Sequence, residues 1–438
     1  MNTLNRLVRW VTAEHKNPSS FGEQPDIDMS IARLPNELLY RIFEFCGPFV
    51  DGKICNGQWA KLMRVCWRWH GIAQSVLYNQ APLAISIESN RLSAKALPPP
   101  PVYRLFRSLT FYEESDFASH REAIPLAVIG FLTSVRSLTV DYPLDSRIAN
   151  HRTLMSLLIK MPLTHLDLRI CHKLDTLLMV FDIPTLRHLN INNSFWDGFC
   201  AAVWRGFVPG IEDLEHVLPA RTKRTSPITS LQVRCFNWPI EIIKRLFSWP
   251  AHLERADLHL LDVVYDGNAG DIILEILSPQ ASSLKAISLG SLPLAEGEHV
   301  MPSFSQFSCL EELTLFGQDL FRETPADAVC LLQIPSLKRL TLIWEMGSFL
   351  KNGSPQSLSE GHSCWLRGFL VRVRKSGTLP RLRVLRLDYN NGEPEIEKLR
   401  ESAEQCGIWI VFSRWKLVHN LYDQWIPVKE AVIGRQGH

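Results

Sequence analysis

Side chains that carry out catalysis or bind metals are present in this sequence, but they lack the spacing that either chemistry requires. The 14 histidines include no H-E-x-x-H motif, and the 10 cysteines include no C-x-x-C pair. The sequence GHSCW, which begins at Gly361, is the nearest approach to a serine nucleophile elbow, but it lacks the closing glycine. The glycine-rich motifs that bind nucleotide phosphates are also missing. The sequence therefore predicts binding rather than catalysis, with no catalytic residue, no cofactor and no metal site.

Basic residues cluster near the C-terminus, where no acidic residue occurs between Gly361 and Leu387. Guanidinium groups bind carboxylates and phosphates through paired hydrogen bonds, so this stretch is a candidate site for an acidic or phosphorylated segment. The alternative is a solvated helix face above packed apolar side chains. The basic residues are Arg367, Arg372, Arg374, Lys375, Arg381, Arg383 and Arg386. The apolar residues beneath them are Trp365, Leu366, Phe369, Leu370 and Val373.

A second set of polar side chains is suited to recognising a protein substrate. Arginine and histidine anchor carboxylates or phosphates, and amide side chains pair with an extended backbone, although a merely solvated surface would have a similar composition. The candidates are His165, Asp167, Arg169, His188, Asn190, Asn192, Ser230, Gln232, Arg234, Arg255, Asp257 and His259. The whole chain has 47 basic and 45 acidic residues, so its net charge of +2 predicts no general attraction to nucleic acid or to a membrane.

These polar residues alternate with apolar residues in a recurring pattern. The segment LTHLDLRIC, 163–171, follows the L-x-x-L-x-L-x-x-N/C pattern of a leucine-rich repeat. Ten segments fit it as strands, and their central residues are Leu109, Leu138, Leu166, Leu189, Leu231, Ala256, Ile287, Leu313, Leu340 and Leu385. The first three of these leucines lie 29 and 28 residues apart, close to the expected period. Two later gaps, of 42 residues after Leu189 and 45 after Leu340, each predict an insertion or an unrecognised repeat.

Segments with helical spacing lie between or after several of these strands. They are 151–161, 239–249, 269–278 and 394–407. Because each strand and helix is incomplete alone and stacks on the next, the fold class is α/β, with an irregular solenoid and a parallel sheet on its concave side. We place the solenoid at residues 81–413 and a C-terminal tail at 414–438. The segment PLAIS, 82–86, is a candidate first strand, and we interpret the prolines of LPPPPV, 97–102, as a loop in the first repeat rather than a linker.

Two apolar helices are predicted before the repeats. One begins at Pro35, a residue suited to the first turn of a helix, and the other lies near Met63 to Ala73. Both carry more apolar side chains than the stripe of about 100° that a surface helix buries. A module of about fifty residues is marginal alone, so these helices either cap the larger domain or also bind another protein.

This segment, 31–80, resembles the F-box motif in its Leu34-Pro35 start, its apolar helix and its Val65-Cys66 and Trp69. The resemblance implies the substrate receptor of a Skp, cullin, F-box ubiquitin ligase, in which this module binds the Skp adaptor and the repeats bind an unidentified protein. The alternative is a scaffold without ubiquitin transfer. The matching positions, some of which form the module's own core, are Leu34, Pro35, Leu38, Leu39, Ile42, Phe43, Val65 and Trp69. The segment GPFVDGKICNGQ is longer than the family's usual connection, and Cys46 and Trp59 stand where leucines are common.

The remaining features concern location. Residues 1–30 are predicted to be a flexible or docking segment, and a mitochondrial presequence would also fit their acid-poor start. The longest apolar run, PLAVIGFL, is interrupted by Gly130 and is far shorter than the about 18 residues of a membrane span. We therefore expect a soluble, intracellular protein of the cytoplasm or nucleus, with reduced cysteines.

Overall fold

The computed structural model covers the two N-terminal helices and most of the repeated segments. It describes residues 34–46, 49–50, 53–54, 63–64, 66–80, 83–88, 91–94, 100–112, 122–123, 126–141, 151–168, 179–192, 225–236, 240–261, 268–290, 301–343, 359–387, 394–419 and 425–432. The predicted N-terminal segment, Val65 and Arg169 lie outside these residues. The chain divides into two units, with unit 1 at Met1–Thr139 and Arg152–Pro162 and unit 2 at Val140–His151 and Leu163–His438.

The predicted N-terminal helices of unit 1 are α1 (Asn36–Cys46) and α2 (Trp67–Gln80). The carbonyl of Pro35 accepts hydrogen bonds from the backbone N–H groups of Leu38 and Leu39, both at 3.1 Å. Pro35 therefore directly precedes α1 and is not its first residue, which moves the predicted start by one position. Glu37 lies in the first turn, at the positive end of the helix dipole, where a negative charge is stabilising.

One apolar cluster holds the two helices together. The rings of Phe43 and Trp69 meet edge to face with their centroids 5.2 Å apart, which is a favourable aromatic geometry. The fully buried members are Leu39, Phe43, Trp69, Ala73 and Val76. Because two of these side chains come from α1 and three from α2, neither helix has an independent core.

The rest of unit 1 is mostly short strands. They are β1 (Phe49–Val50), β2 (Lys53–Ile54), β3 (Leu83–Glu88), β4 (Arg91–Ala94), β5 (Ser108–Tyr112) and β6 (Glu122–Ala123), with a 3-10 helix at Pro100–Leu105, α3 at Leu126–Gly130 and α4 at His151–Lys160. The segment PLAIS lies in β3, which pairs in parallel with β5, so its prediction as a strand is confirmed. The unit boundary falls within β7 (Ser137–Asp141).

Two side-chain contacts connect α2 to the start of β5. The rings of Tyr78 and Phe106 are 4.9 Å apart, and Arg107 Nε donates to Asn79 Oδ1 at 3.1 Å. The helices and the first strands are thus packed in one unit. Of the prolines that we predicted to form a loop, Pro100 and Pro101 instead begin the 3-10 helix, whereas Pro98 and Pro99 lie outside the described residues.

Unit 2 is built from strands that alternate with helices or turns. The strands are β8 (His165–Leu168), β9 (His188–Asn192), β10 (Ser230–Phe236), β11 (Arg255–Leu261), β12 (Ala286–Leu289), β13 (Glu312–Phe316), β14 (Arg339–Ile343), β15 (Val384–Leu387), β16 (Trp409–His419) and β17 (Trp425–Val432). The helices are α5 (Ile240–Ser248), α6 (Ala269–Leu277), α7 (Gly317–Leu320), α8 (Pro325–Leu331), α9 (Glu360–Ser376) and α10 (Pro394–Gln405), with a 3-10 helix at Ser278–Gln280. All ten strands predicted from the repeat pattern and the four helices predicted between or after them are present, and the mixed α/β fold with a parallel sheet is confirmed.

The pairing register explains the two long gaps in the repeat pattern. Strands β8 to β16 pair in parallel, each with the next along the chain. Leu189 lies directly opposite Leu231, and Leu340 lies directly opposite Leu385. Since the flanking strands pair with each other, both gaps are insertions that add no strand between them, and the second insertion contains α9.

The C-terminal strands were not predicted. The first residues of β16 pair in parallel with β15, and its residues from Phe412 onward pair antiparallel with β17. Strand β16 therefore continues past residue 413, where we placed the end of the solenoid, and the segment that follows it contains β17.

A buried glutamine links neighbouring repeats of unit 2. Gln280 is 2% exposed, and its Nε2 donates to the carbonyls of Phe247 and Pro250 at 3.1 and 2.9 Å. Its Oε1 accepts from the N–H of Leu253 and from Ser283 Oγ, both at 3.2 Å. This one side chain thereby satisfies backbone groups that turns between repeats would otherwise bury unpaired.

Candidate protein-binding surfaces

The residues predicted to bind the adaptor divide into a core set and a surface set. Leu39, Phe43 and Trp69 are almost completely buried, whereas Leu38 is 51% exposed and Pro35 is also exposed. Leu34 and Ile42 are half-buried and pack against the buried cluster. In this arrangement Pro35 and Leu38 are accessible to a partner, while the core set positions the helices that carry them.

An exposed tryptophan of this module was missed by the sequence reasoning. Trp67 is 86% exposed, although Trp69, two residues later, is 2% exposed. Residues two apart on a helix do not share a face, so the stripe of Trp69, Ala73 and Val76 already places Trp67 outside it. The next residue, Arg68, donates from Nε to Asn36 Oδ1 at 2.6 Å and from Nη2 to the Leu34 carbonyl. Arg68 therefore ties the start of α2 to the start of α1.

A groove of about 490 Å³ lies between α1 and α2. Gly71 is on one wall, and a Cβ added there would have no neighbour within 4 Å. On the other wall Arg41 Nη1 lies 3.0 Å from Glu44 Oε2, and Glu37 adds a second carboxylate. The lining residues are Asn36, Glu37, Tyr40, Arg41, Glu44, Gly71, Ile72 and Ser75. Because the groove is open to solvent, it suits contact with another protein better than enclosure of a small molecule.

The predicted substrate residues on β8 and β9 form cross-strand pairs. His165 and His188 stack with their centroids 4.2 Å apart, and Asn190 Nδ2 donates to Asp167 Oδ1 at 2.8 Å. Burial, followed by the charges of His165 and Arg255, lowers the pKa of His188. Sequence reasoning placed these residues on one face, and the structure brings them into contact there. Asn192 continues the same face of β9, while Arg169 is outside the described residues.

The predicted residues on β10 and β11 form a charged cluster. Asp257 Oδ1 lies 2.8 Å from His259 Nε2, and its Oδ2 lies 3.5 Å from Arg234 Nη2. Burial opposes ionisation of Asp257, but the contacts with His259 and Arg234 outweigh it and lower the pKa of this carboxyl. A Cβ on Gly290 would lie 2.6 Å from His259 Nδ1, so a glycine makes room for the imidazole.

Glu312, which the sequence reasoning missed, binds the predicted residue Arg255 and also binds Arg339. Arg255 Nη2 reaches Glu312 Oε2 at 3.3 Å, and Arg339 Nη1 approaches Glu312 Oε1 at 2.9 Å. Ala286 occupies the corresponding position of β12 between them, and its small side chain lets Arg255 reach across that strand. The register of β11, β12 and β13 creates this pairing, which sequence spacing did not reveal.

A second row of ion pairs lies at the start of the same strands. Lys285 Nζ is 2.8 Å from Glu254 Oε1, and Lys338 Nζ is 2.7 Å from Glu311 Oε1. These hydrogen bonds are the main cause of the lowered pKa values of Glu254 and Glu311. Their exposure makes each pair a small contribution to stability.

The arginine-rich C-terminal segment is divided between two elements. On α9, Leu366, Phe369, Leu370 and Val373 are buried beneath exposed basic residues, as the solvated-face interpretation predicts. Arg374 Nη1 also donates to the carbonyl of Gln405 at 2.6 Å. Arg386 is instead on β15, between the buried Leu385 and Leu387, and so faces away from their side of the sheet. The segment therefore does not form one continuous surface.

The fold is consistent with a helical F-box module followed by a repeat solenoid. Residues 31–81 match the model of the F-box-like family, which supports the F-box resemblance of this segment. F-box domains generally bind Skp adaptors, and F-box proteins are generally noncatalytic subunits of ubiquitin ligases. No curated protein matches the chain.

Two further findings concern metal-binding clusters and membrane-spanning helices in the described segments. Among the residues described, three or more histidine, cysteine, aspartate or glutamate side chains nowhere come together in a way that would hold a metal ion. In those same parts of the chain, no helix has both the length and the apolarity needed to cross a membrane.

Proposed function

We propose that this protein is the substrate-recognition subunit of a Skp, cullin, F-box ubiquitin ligase, with a leucine-rich-repeat domain after its F-box. The observation that carries the proposal is the match of residues 31–81 to the F-box-like family, combined with a separate unit of strand and helix repeats. The N-terminal helices bind the adaptor, the adaptor binds cullin, and the outward sheet face of unit 2 binds the protein to be modified. The chain itself contributes binding and positioning, not catalysis.

In the adaptor interface, Pro35 and Leu38 make direct contact because they are exposed on the same module. Leu34 and Ile42 border this surface, and Val65 joins it by the F-box resemblance. Leu39, Phe43 and Trp69 act indirectly by holding α1 against α2. Truncating a central interface anchor costs about 2 kcal/mol or more, so one substitution at Leu38 is informative.

The test is recovery of the adaptor and cullin with the full-length chain. Leu38→Glu should reduce adaptor recovery at least about tenfold, because it buries a charge in the interface. Phe131→Glu is the matched control, since Phe131 is also an exposed apolar residue of unit 1. Undiminished adaptor recovery with Leu38→Glu rejects the interface. Recovery of adaptor without cullin favours the scaffold over the ligase receptor.

A further inference from the structure

One arginine of α2 holds the residues that lead into α1. Arg68 is the second residue of α2, and its Nε donates to Asn36 Oδ1 at 2.6 Å. Its Nη2 donates to the backbone carbonyl of Leu34. These two acceptors belong to the residues on either side of Pro35. A single guanidinium therefore holds the chain both before and after this proline.

The chain at Pro35 needs an outside partner to fix its direction. Proline has no N–H to donate, and a residue before a proline disfavours the helical conformation, so Leu34 lies outside α1. The carbonyl of Pro35 accepts from the N–H groups of Leu38 and Leu39, both at 3.1 Å, which closes the first turn of the helix. The contact between Arg68 and the Leu34 carbonyl then fixes how the chain enters that turn.

The backbone that carries Arg68 is itself held in place. The next residue, Trp69, is 2% exposed, and its ring lies 5.2 Å from the ring of Phe43. The N–H of His70 donates to the carbonyl of Cys66 at 2.9 Å, which closes the first turn of α2 around Arg68. Because a guanidinium is planar and presents its N–H groups in fixed directions, a fixed backbone also limits where these groups point.

We propose that Arg68 is a positioning residue of the adaptor interface, which holds Pro35 and Leu38 in the orientation that the adaptor binds. This inference rests on the proposed receptor function and adds a residue to the site that this function uses. Arg68 acts through the start of α1 and not by touching the adaptor. Its hydrogen bonds order the exposed first turn before binding, so that less conformational freedom is lost when the complex forms.

This role differs from that of the buried cluster between the two helices. The cluster holds α1 against α2, so loss of one of its large side chains should open the whole module. The bond from Arg68 to Asn36 is exposed, and the bond to the Leu34 carbonyl is only partly buried. Both bonds reach the first residues of the module. Removing Arg68 should therefore loosen the start of α1 and leave α2 folded.

A second arginine of unit 1 provides a matched control. Arg107 Nε also donates to an asparagine, Asn79 Oδ1, at 3.1 Å, and its Nη1 also donates to a backbone carbonyl, that of Ser134, at 3.2 Å. These contacts are at the end of α2 and not at the start of α1. The variant Arg107→Ala thus removes the same kinds of hydrogen bond from the same unit, but away from Pro35.

The test measures the affinity of the purified Skp adaptor for the full-length chain by biolayer interferometry. Arg68→Ala should weaken binding about tenfold or more, since a hydrogen bond to a charged group typically changes an equilibrium constant by that factor. Arg107→Ala should bind the adaptor like the unchanged protein. Unchanged affinity in Arg68→Ala overturns the inference, as does equal weakening in Arg107→Ala.

Hydrogen exchange of the free proteins shows whether Arg68 acts through α1. Peptides that cover residues 34–43 should exchange about tenfold faster in Arg68→Ala, while peptides from residues 73–80 should keep their protection. If exchange at residues 34–43 is unchanged although the affinity falls, Arg68 contacts the adaptor directly and the positioning role is wrong.

A lysine variant decides the case in which Arg68→Ala also exposes residues 73–80. Arg68→Lys should weaken adaptor binding, because an ammonium keeps the charge but lacks the fork of donors that reaches two acceptors. Adding Asn36→Asp should recover affinity about threefold or more in Arg68→Lys, since a carboxylate is a stronger acceptor for a cation than an amide is. It should recover none in Arg68→Ala. Absence of recovery with lysine, or equal recovery with alanine, contradicts the inference.

Adaptor binding by the unchanged protein separates this inference from the proposed function. If the unchanged protein binds the adaptor and Arg68→Ala binds it equally well, this inference alone fails. If the unchanged protein binds no adaptor, the receptor function fails together with the interface role of Arg68. The exchange measurements then still show whether Arg68 orders the start of α1.

Discussion

One tryptophan of α2 is buried and another is exposed, so substitution by alanine should destabilise the helices at the first position and not at the second. Trp69 is 2% exposed and contacts the ring of Phe43 at 5.2 Å, whereas Trp67 is 86% exposed. Replacing a buried aromatic residue by alanine costs about 3–5 kcal/mol, whereas a surface replacement is usually within about 0.5 kcal/mol. Trp69→Ala should therefore open the α1 and α2 helices, and Trp67→Ala should leave them intact.

The assay is hydrogen exchange of the full-length chain, followed by mass analysis of peptides from each region. Since about 1.4 kcal/mol corresponds to a factor of ten, a loss of 3 kcal/mol or more predicts about hundredfold faster exchange in α1 and α2. Peptides from β13 and β14 in unit 2 are the internal control and should be unchanged. Trp67→Ala is the matched variant, because it removes the same side chain from the same helix.

Two results would refute this reasoning. Unchanged protection of α1 in Trp69→Ala would mean that the cluster around Phe43 does not hold the helices together. Equal acceleration in Trp67→Ala would mean that Trp67 is buried by contacts in solution that the structure does not contain. Either result would also remove the division of the predicted adaptor residues into a core set and a surface set.

Three further predictions concern unit 2. Gln280→Ala should lower the free energy of unfolding by about 3 kcal/mol or more, because it leaves several buried backbone groups unpaired; denaturant titration measures this, and exposed Ser282→Ala should have no effect. Gly290→Ala should lower the free energy of unfolding by about 1–3 kcal/mol through overpacking against His259. The same substitution should lower it less when it is added to the His259→Ala variant. The lowered pKa of His188 means that the unfolded chain binds a proton more readily than the folded protein. Thermal stability should therefore be full above the ordinary histidine pKa of 6.5 and fall as pH drops toward the depressed value, a slope that His188→Gln should reduce.

The ten repeat strands were predictable because the pattern follows directly from how they fold. A strand with one buried face needs apolar residues at every second position, and Leu166 and Leu168 have this spacing in the sequence. Strand alternation also separated the buried leucines from the predicted outward residues of β8 to β11 that the structure describes, which leaves out Arg169. Strand β16 was missed because its sequence, WIVFSRWKLVH, has no leucine at the expected positions, and β17 pairs antiparallel outside the repeat scheme.

The pairings between outward residues were not predictable, because they depend on register across unequal repeats. Arg255 and Glu312 are far apart in the chain, and their contact requires both the parallel pairing of β11, β12 and β13 and a small residue between them. The adaptor surface has the same difficulty in a simpler form. Helical spacing and the stripe of Trp69, Ala73 and Val76 separate Trp67 from the buried face, but the spacing does not show that α1 is the element that covers Trp69.

Leu340 pairs directly with Leu385, so the number of residues between β14 and β15 does not change how the two strands pair. Because the 44 residues between them leave the ladder unbroken, the parts of that gap outside α9 can lengthen or shorten while β14 and β15 stay in register. A longer connection destabilises the fold only slightly, since doubling the length of a flexible loop costs about 0.6 kcal/mol in closure entropy. Such a gap is therefore a place where descendants of this protein can acquire new surfaces while keeping an old specificity, and where a reporter domain can be inserted with the ligand-facing side left in its original order.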